Sequence, residues 1–152
     1  MADLRPILLV EDSPRDLELT LAALAKCQLA NEIVVARDGA EAIEYLYRQG
    51  AFQDRTAGDP AVVLLDLKLP KIDGLEVLEK VKRDESLRHV PIVMLTSSRE
   101  EQDVVKSYEL GVNAFVVKPV DFREFFEAIR DLGVFWAILN EPPPGSSRGT
   151  SS

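Results

Sequence analysis

Cysteine and histidine are almost absent from the sequence, which has one residue of each among 152. The single cysteine, Cys27, cannot form an internal disulfide, and its apolar helical surroundings favour a small core residue over a reactive thiol. The single histidine, His89, lies in a predicted loop, where a solvated side chain is the usual state. The scarcity of histidine therefore excludes a metal site built from histidines.

Basic residues are also scarce, since 18 lysines and arginines are set against 26 acidic residues and the formal net charge is −8. A nucleic-acid surface needs clustered basic residues, so this balance argues against nucleic acid and against anionic membranes as partners. No apolar run approaches the ~20 residues of a membrane span. Residues 1–6 lack the layout of a signal peptide. We therefore expect a cytoplasmic protein.

The chain does have enough apolar sequence for one core, because hydrophobic residues make up 46% of it. Residues 62–67 stand out, since all of them are aliphatic except Asp66. Such a run predicts a strand buried on both faces, as in a parallel sheet. An ionised carboxylate inside that strand would be costly. Because Pro70 soon stops the ladder, Asp66 is expected at the carboxyl end of the strand.

Strand and helix patterns alternate five times along the chain. This alternation predicts a parallel sheet with right-handed crossovers and helices on both faces. Between the second helix and the third strand, residues 51–60 are polar and form a long predicted loop. The predicted strands are residues 7–10, 32–37, 62–67, 91–96 and 114–119; the helices begin near Pro14, Ala42, Gly74, Arg99 and Phe122, with Gly50 and Gly111 closing the second and fourth.

The fifth helix pattern runs on through Leu139, and the sequence then becomes rich in proline, glycine, serine and threonine. Such a composition is typical of a disordered segment. We therefore expect one domain over residues 1–140, with an extended last helix, and a disordered tail over residues 141–152. The length fits a single domain of this kind.

Polar side chains follow four of the predicted strands at the points where the strands end. They should converge, because the carboxyl ends of parallel strands share the edge at which open α/β sheets bind ligands. Three carboxylates placed together repel, so their pKa values rise unless a cation intervenes. Oxygen ligands suit Mg²⁺, and a carboxylate beside a hydroxyl and an ammonium suits phosphoryl transfer. The residues are Glu11, Asp12, Asp66, Thr96 and Lys118.

These residues, with Pro119 after Lys118, resemble the full signature of the receiver domain of two-component response regulators. Residues 67–74 resemble the loop that follows the acceptor aspartate in that family. The likeness covers residues 5–132 and implies a flavodoxin-like fold with strand order 2-1-3-4-5. It also implies a phosphoprotein rather than an enzyme, limited to Mg²⁺-dependent self-phosphorylation from a donor and slow hydrolysis of its own acyl phosphate.

The resemblance implies a role for each residue of the phosphoryl site. Asp66 is expected to accept the phosphoryl group, and Thr96 and Lys118 are expected to bind its oxygens. Phe115 stands where the family has its switch aromatic, which turns inward when the threonine moves toward the phosphoryl group. The bond between Lys118 and Pro119 is expected to be cis, an isomer that only bonds to proline adopt at modest cost.

The resemblance also implies a ligand set for Mg²⁺. Asp12 and Asp66 are expected to bind the ion directly, and Glu11 is expected to bind it through water. The backbone carbonyl of Lys68 is expected to add one more ligand. All of these are hard oxygen ligands, and Mg²⁺ keeps several of its waters in such sites.

The output of the protein is expected to be protein contact, because no DNA-binding module follows the fifth helix pattern. Residues 134–139 are apolar nearly all round, which either folds back onto the core or marks an interface. We favour a homodimer through the fourth helix, fifth strand and fifth helix, with Phe135 and Trp136 in or near it. The long loop and this C-terminus resemble single-domain regulators that partner phytochrome-type histidine kinases, which implies a bacteriophytochrome as phosphodonor.

Three other classes of protein share parts of this pattern. A flavodoxin-like cofactor domain would need a loop rich in Gly, Ser or Thr after the first strand, whereas Glu11 and Asp12 would repel phosphate. A phosphatase with an aspartate nucleophile would need an acid two residues after Asp66, where Lys68 stands. An interaction module that works without phosphorylation is the third alternative, although none of the key groups is missing.

Overall fold

In the computed structural model, five strands and five α-helices alternate along the described part of the chain. It describes residues 5–27, 29, 31–56, 58–107, 110, 112 and 114–132. The strands are β1 (Ile7–Val10), β2 (Ile33–Ala36), β3 (Val62–Asp66), β4 (Ile92–Thr96) and β5 (Phe115–Val117). The helices are α1 (Pro14–Ala25), α2 (Gly39–Tyr47), α3 (Gly74–Arg83), α4 (Arg99–Ser107) and α5 (Phe122–Leu132).

The strands form one parallel sheet in the order β2-β1-β3-β4-β5. The predicted doubly wound fold and its strand order are therefore confirmed. Every residue of β1, β3 and β4 is buried, which explains why these three segments read as continuous apolar runs. The edge strands β2 and β5 carry partly exposed residues.

Alternate residues of the central strands enter two separate cores. On one face, Leu9 and Leu64 pack with α1 and α5, and Phe125 of α5 is the largest fully buried side chain in this core. On the other face, Leu8 and Leu65 pack with α2, α3 and α4. Cys27 is buried in the first core, so the prediction of a core cysteine is confirmed. Because helices cover both faces of the sheet, the ends of the strands are the accessible place for a ligand.

The first turn of α1 is held in place beside the end of β1. Ser13 caps the helix, since its hydroxyl accepts from the backbone N–H of Asp16 at 3.2 Å. Pro14 occupies the first helical position, where its fixed φ and missing N–H are tolerated. This tight start keeps Asp12 and Asp16 close to the carboxyl edge of the sheet.

The predicted end of α2 at Gly50 is wrong, because the helix ends at Tyr47 and is capped by Arg48 in the left-handed conformation (φ 53°). Gly50 (φ 54°) instead begins a short 3₁₀ helix, Gly50–Phe52. The turn brings Phe52 edge-on against Tyr45, with ring centroids 5.0 Å apart. The contact between the half-buried Phe52 ring and the buried Tyr45 ring accounts for the early turn of the chain.

Three expectations concern residues outside the described part of the chain. They are the extension of α5 through Leu139, with Phe135 and Trp136 in it; the tail over 141–152; and the end of α4 at Gly111. β5 is shorter than expected, because Pro119 has no N–H to donate to the ladder and the strand stops at Val117. Among the described residues, no helix is long and apolar enough to cross a membrane.

Candidate functional site

Three carboxylates meet at the carboxyl edge of the sheet. Glu11 and Asp12 follow β1, and Asp66 is the last residue of β3. The two strands are neighbours, with Val10 paired to Leu65, so the residues after them are brought side by side. One carboxylate oxygen from each acid lies within 4.8 Å of the others. Glu11 and Asp66 are buried, whereas Asp12 is exposed.

Burial and the neighbouring acid both disfavour the ionised form of Glu11 in this cluster. Burial, followed by the hydrogen bond and the charge of Asp66, raises the pKa of Glu11 to about 7. The backbone N–H of Ser13 donates to Glu11 Oε2 at 3.2 Å, and with the charge of Lys118 it opposes that rise. Close acids of this kind are stabilised by a hard cation. The three acids therefore fit a divalent metal ion.

Lys118 reaches the same cluster from the residue after β5. Its ammonium lies 2.8 Å from Asp16 Oδ2, 3.1 Å from Asp66 Oδ2 and 3.2 Å from Glu11 Oε1. Burial disfavours the charged ammonium, but the hydrogen bond to Asp16 and the charge of Asp66 outweigh it, so the pKa of Lys118 is raised. Lys118 is therefore a fixed positive charge beside the Asp66 carboxylate. The bond to Pro119 is cis, as expected.

Thr96 brings a hydroxyl to the edge between β3 and β5. It is the last residue of β4 and is fully buried. Its carbonyl oxygen accepts from the backbone N–H of Lys118 at 2.8 Å, which links the two site residues. The hydroxyl oxygen has no hydrogen-bond partner among the described residues. A buried hydroxyl without a partner calls for an explanation, and an incoming anionic oxygen would supply one.

Lys68 lies beside the cluster, whereas Phe115 is the first residue of β5, the strand that ends just before Lys118. The backbone N–H of Lys68 donates to Asp66 Oδ1 at 3.4 Å, while its exposed ammonium pairs with Glu101 Oε2 at 3.3 Å. Phe115 is half-buried on β5, and Lys106 Nζ lies 5.3 Å from the centre of its ring. The predicted Lys68 carbonyl ligand and Phe115 switch remain predictions.

Sequence reasoning missed one residue of the site, Asp16. An aspartate in the first turn of a helix ordinarily complements the helix dipole, so its type alone carried no signal. Its position did carry one, because α1 begins directly after the acids that end β1 and its first turn must face the same edge. Asp16 makes the shortest of the three contacts with Lys118, at 2.8 Å.

The parallel five-stranded sheet and the acids and lysine at its carboxyl edge define a doubly wound domain of the receiver type. Residues 7–130 match the response regulator receiver domain, and the chain belongs to that family. The resemblance seen in the sequence is therefore confirmed at the level of family and fold.

Three relatives show where in the family this chain falls. It is 39% identical to response regulator Rcp1 of Synechocystis sp. over 130 residues, which cover 86% of this chain and 87% of Rcp1. The bacteriophytochrome response regulator AtBRR is 75% identical, with a TM-score of 0.88 over 92% of this chain and all of AtBRR. The phosphorylated cyanobacterial phytochrome response regulator RcpA is 37% identical, with a TM-score of 0.71 over 94% of this chain and all of RcpA.

Rcp1 has also been solved in a Mn²⁺-bound form, which is 37% identical to this chain with a TM-score of 0.70 over 93% of this chain and 99% of Rcp1. The chain thus resembles single-domain regulators associated with phytochromes, as its sequence predicted.

Proposed function

We propose that this protein is a cytoplasmic response regulator that accepts a phosphoryl group on Asp66 from a phytochrome-type histidine kinase. The observation that carries the proposal is the position of Asp66. It ends the central strand, it is buried, and Lys118 Nζ lies 3.1 Å from its Oδ2. A carboxylate in that position can attack phosphorus, and the unpartnered Thr96 hydroxyl offers a donor to the oxygens that arrive.

The residues that would hold the metal are Asp12 and Asp66 directly, Glu11 through water, and Lys68 through its carbonyl. A bound Mg²⁺ would neutralise charge on the transferred oxygens and on the acids themselves. The acidic cluster supports this assignment, since its oxygens lie within 4.8 Å of one another. The Mn²⁺-bound form of the relative Rcp1 supports a divalent ion as well.

The transfer itself moves one phosphoryl group between two residues. An oxygen of Asp66 attacks the phosphorus of a phosphohistidine on the kinase and forms the new P–O bond. The P–N bond breaks, and its electron pair stays on the imidazole nitrogen, which takes up a proton from water. Lys118 and Thr96 hold equatorial oxygens during the transfer. In the later hydrolysis step, water attacks the phosphorus, the bond between phosphorus and the Asp66 oxygen breaks, inorganic phosphate leaves, and the Asp66 carboxylate is restored.

Phosphorylation would be read on the surface formed by α4, β5 and α5. Thr96 moves toward the phosphoryl group, and the space it leaves admits the Phe115 ring. Thr96 and Phe115 lie on neighbouring strands, since β4 and β5 pair Thr96 with Val117 and Met94 with Phe115. A charge added at Asp66 would thus change the side chains that a partner protein meets.

The relatives support a phytochrome-type histidine kinase as the partner. AtBRR is a bacteriophytochrome response regulator, and RcpA is a phosphorylated phytochrome response regulator. Their identity and coverage support the same class of partner here. The protein is not proposed as an enzyme beyond self-phosphorylation from a donor and slow loss of its own phosphoryl group.

The phosphoacceptor is tested with Mg²⁺ and a small phosphodonor, followed by intact-protein mass measurement. Wild type should gain one acid-stable, base-labile phosphoryl group per chain. Asp66→Asn should abolish the gain. Lys118→Ala should still be labelled, but it should lack the conformational change that NMR is expected to detect in the labelled wild type. Asp73→Asn is the matched control, because Asp73 is exposed and its side chain makes no capping hydrogen bond. Labelling that persists in Asp66→Asn would contradict the proposal.

The homodimer is a separate part of the proposal. It would form through α4, β5 and α5, with Phe135 and Trp136 in or near the interface. Val104 and Val117, which are 50% and 37% exposed on α4 and β5, support an apolar contribution from this face. Sedimentation should show a dimer that Trp136→Ala weakens. A wild type that stays monomeric with and without phosphodonor would refute this part alone.

A further inference from the structure

The Lys118 ammonium has two kinds of partner. It has three N–H donors and contacts three carboxylates, those of Asp16, Asp66 and Glu11. Glu11 and Asp66 belong to the acidic cluster that fits a metal, whereas Asp16 does not. The lysine therefore shares two of its partners with any cation in the cluster and has one that is its own.

Asp16 is held in a position where it contacts Lys118 but does not belong to the acidic cluster. Its backbone N–H donates to the cap residue Ser13, which fixes the first turn of α1 against the edge of the sheet. Its side chain is 32% exposed, compared with 0% for Glu11 and 7% for Asp66. Asp16 is thus on the solvent side of Lys118, and the two shared acids are on the buried side.

A divalent cation and an ammonium compete for the same two carboxylates. Like charges a few ångströms apart repel strongly when they are partly buried. The Lys118 side chain is only 14% exposed, so leaving its ammonium without an anionic partner would be costly. Of its three contacts, the one to Asp16 is the contact that a cation at Glu11, Asp12 and Asp66 would leave intact.

We propose that Asp16 is a positioning residue that retains Lys118 beside the site when a divalent cation takes Glu11 and Asp66. This inference rests on the proposed function, because it presumes a metal in the acidic cluster. Without metal, loss of the Asp16 carboxylate should destabilise the site only slightly, because Lys118 keeps two carboxylates. With metal, the same loss should destabilise the site more, because the ammonium then has none of its three contacts. Asp16 should therefore strengthen metal binding through Lys118 as well as through its own charge.

The test is calorimetric titration of Mg²⁺ into four unphosphorylated proteins: wild type, Asp16→Asn, Lys118→Ala and the double variant. Lys118→Ala should bind Mg²⁺ more tightly than wild type, because a competing cation is gone. Asp16→Asn should bind it about five- to tenfold more weakly, the scale expected for an unpaired, partly buried charge. In the Lys118→Ala background, the same substitution should change the affinity by no more than about twofold, since only a screened charge remains.

Two further variants separate positioning from general charge effects. Glu18→Gln removes the same charge from an exposed position of α1 and should leave the affinity near that of wild type. Asp16→Glu should recover most of the loss, because it restores a carboxylate within reach of Lys118. Equal thermal unfolding of all variants in EDTA would exclude a general loss of folding.

The outcomes distinguish this inference from the proposed function. If Asp16→Asn weakens Mg²⁺ binding equally with and without Lys118, the effects are additive and the positioning role is wrong while the metal site stands. Tighter binding by Asp16→Asn would overturn the positioning role too. If wild type binds no Mg²⁺, the metal part of the proposed function fails and the inference fails with it.

Discussion

Single residues decide how tightly the chain closes around Asp66, and Gly74 is the clearest case. The backbone N–H of Gly74 donates to the carbonyl oxygen of Leu67 at 3.0 Å, so the start of α3 lies directly on the end of β3. A Cβ at Gly74 would overlap the carbonyl oxygens of Asp66 and Leu67. The obstacle is backbone, which cannot turn aside as a side chain would. Gly74 is therefore required by close approach.

Gly74→Ala is expected to lower the free energy of unfolding by about 1–3 kcal/mol, the range for overpacking a filled site. It should also slow phosphorylation, because the shift falls on the backbone that carries Asp66. Urea unfolding and mass-detected labelling measure the two effects. Gly58→Ala is the control, since a Cβ there would meet only Arg5 Cδ at 4.0 Å. Equal stability of the two variants would contradict the prediction.

Individual residues also differ in how well the sequence predicts their positions. Asp66, Thr96 and Lys118 were predictable, because each ends a recognisable apolar run and parallel strands bring their ends to one edge. The Arg48 cap was not, because the glycine two residues later is the more usual left-handed residue. The packing of Phe52 on Tyr45 places the end of the helix before Gly50, and that contact exists only in the folded chain.

At the scale of elements, the start of α4 is fastened to the site by one carboxylate. Glu101 Oε1 accepts from the backbone N–H of Ser97 at 2.7 Å, and its own N–H donates to Ser98 Oγ at 3.4 Å. Its other oxygen pairs with Lys68 Nζ at 3.3 Å. The first two contacts cap the helix in a variant of the capping box, in which Glu101 accepts from the residue before the cap residue Ser98. The third joins α4 to the loop after Asp66.

The cap should matter more to stability than the ion pair does. Glu101→Ala is expected to cost about 1 kcal/mol, as for lost helix caps. Lys68→Ala is expected to cost less than about 0.5 kcal/mol, because the Lys68 side chain is 80% exposed and exposed pairs contribute little. Urea unfolding of both variants measures the difference. A larger loss in Lys68→Ala would show that the ion pair, and not the cap, holds α4.

Element types were easier to predict from sequence than element ends. The five strands and five helices follow from apolar periodicity, which depends on local spacing alone. The ends depend on particular side-chain contacts. The 3₁₀ turn over Gly50–Phe52 depends on the contact of Phe52 with Tyr45, and Glu101 pairs with Lys68 in the loop after β3. The same is true of Arg55, whose guanidinium lies 4.3 Å from the centre of the Tyr45 ring. Loop structure that forms around such contacts leaves no periodic signal.

For the whole molecule, the proposed metal site would couple metal binding to folding. Its three acids lie at the ends of two different strands, so the unfolded chain has no comparable site. A ligand that binds only the folded state stabilises it by mass action, by about 2.7 kcal/mol at a hundredfold excess over Kd. Mg²⁺ should therefore raise the urea midpoint relative to EDTA. Asp12→Asn should reduce that rise and Asp73→Asn should retain it; an equal rise in both would place the ion elsewhere.

The contacts of Lys118 span long stretches of chain, since it is 107 residues from Glu11 and 52 from Asp66. On the ribosome, β1 and β3 emerge well before β5, so a nascent chain carries the acids while their ammonium partner is still unmade. Long-range pairings of this kind also form late in folding. Of the strands that the structure describes, the one synthesised last thus completes the site, and a chain that still lacks it holds the three acids without their ammonium.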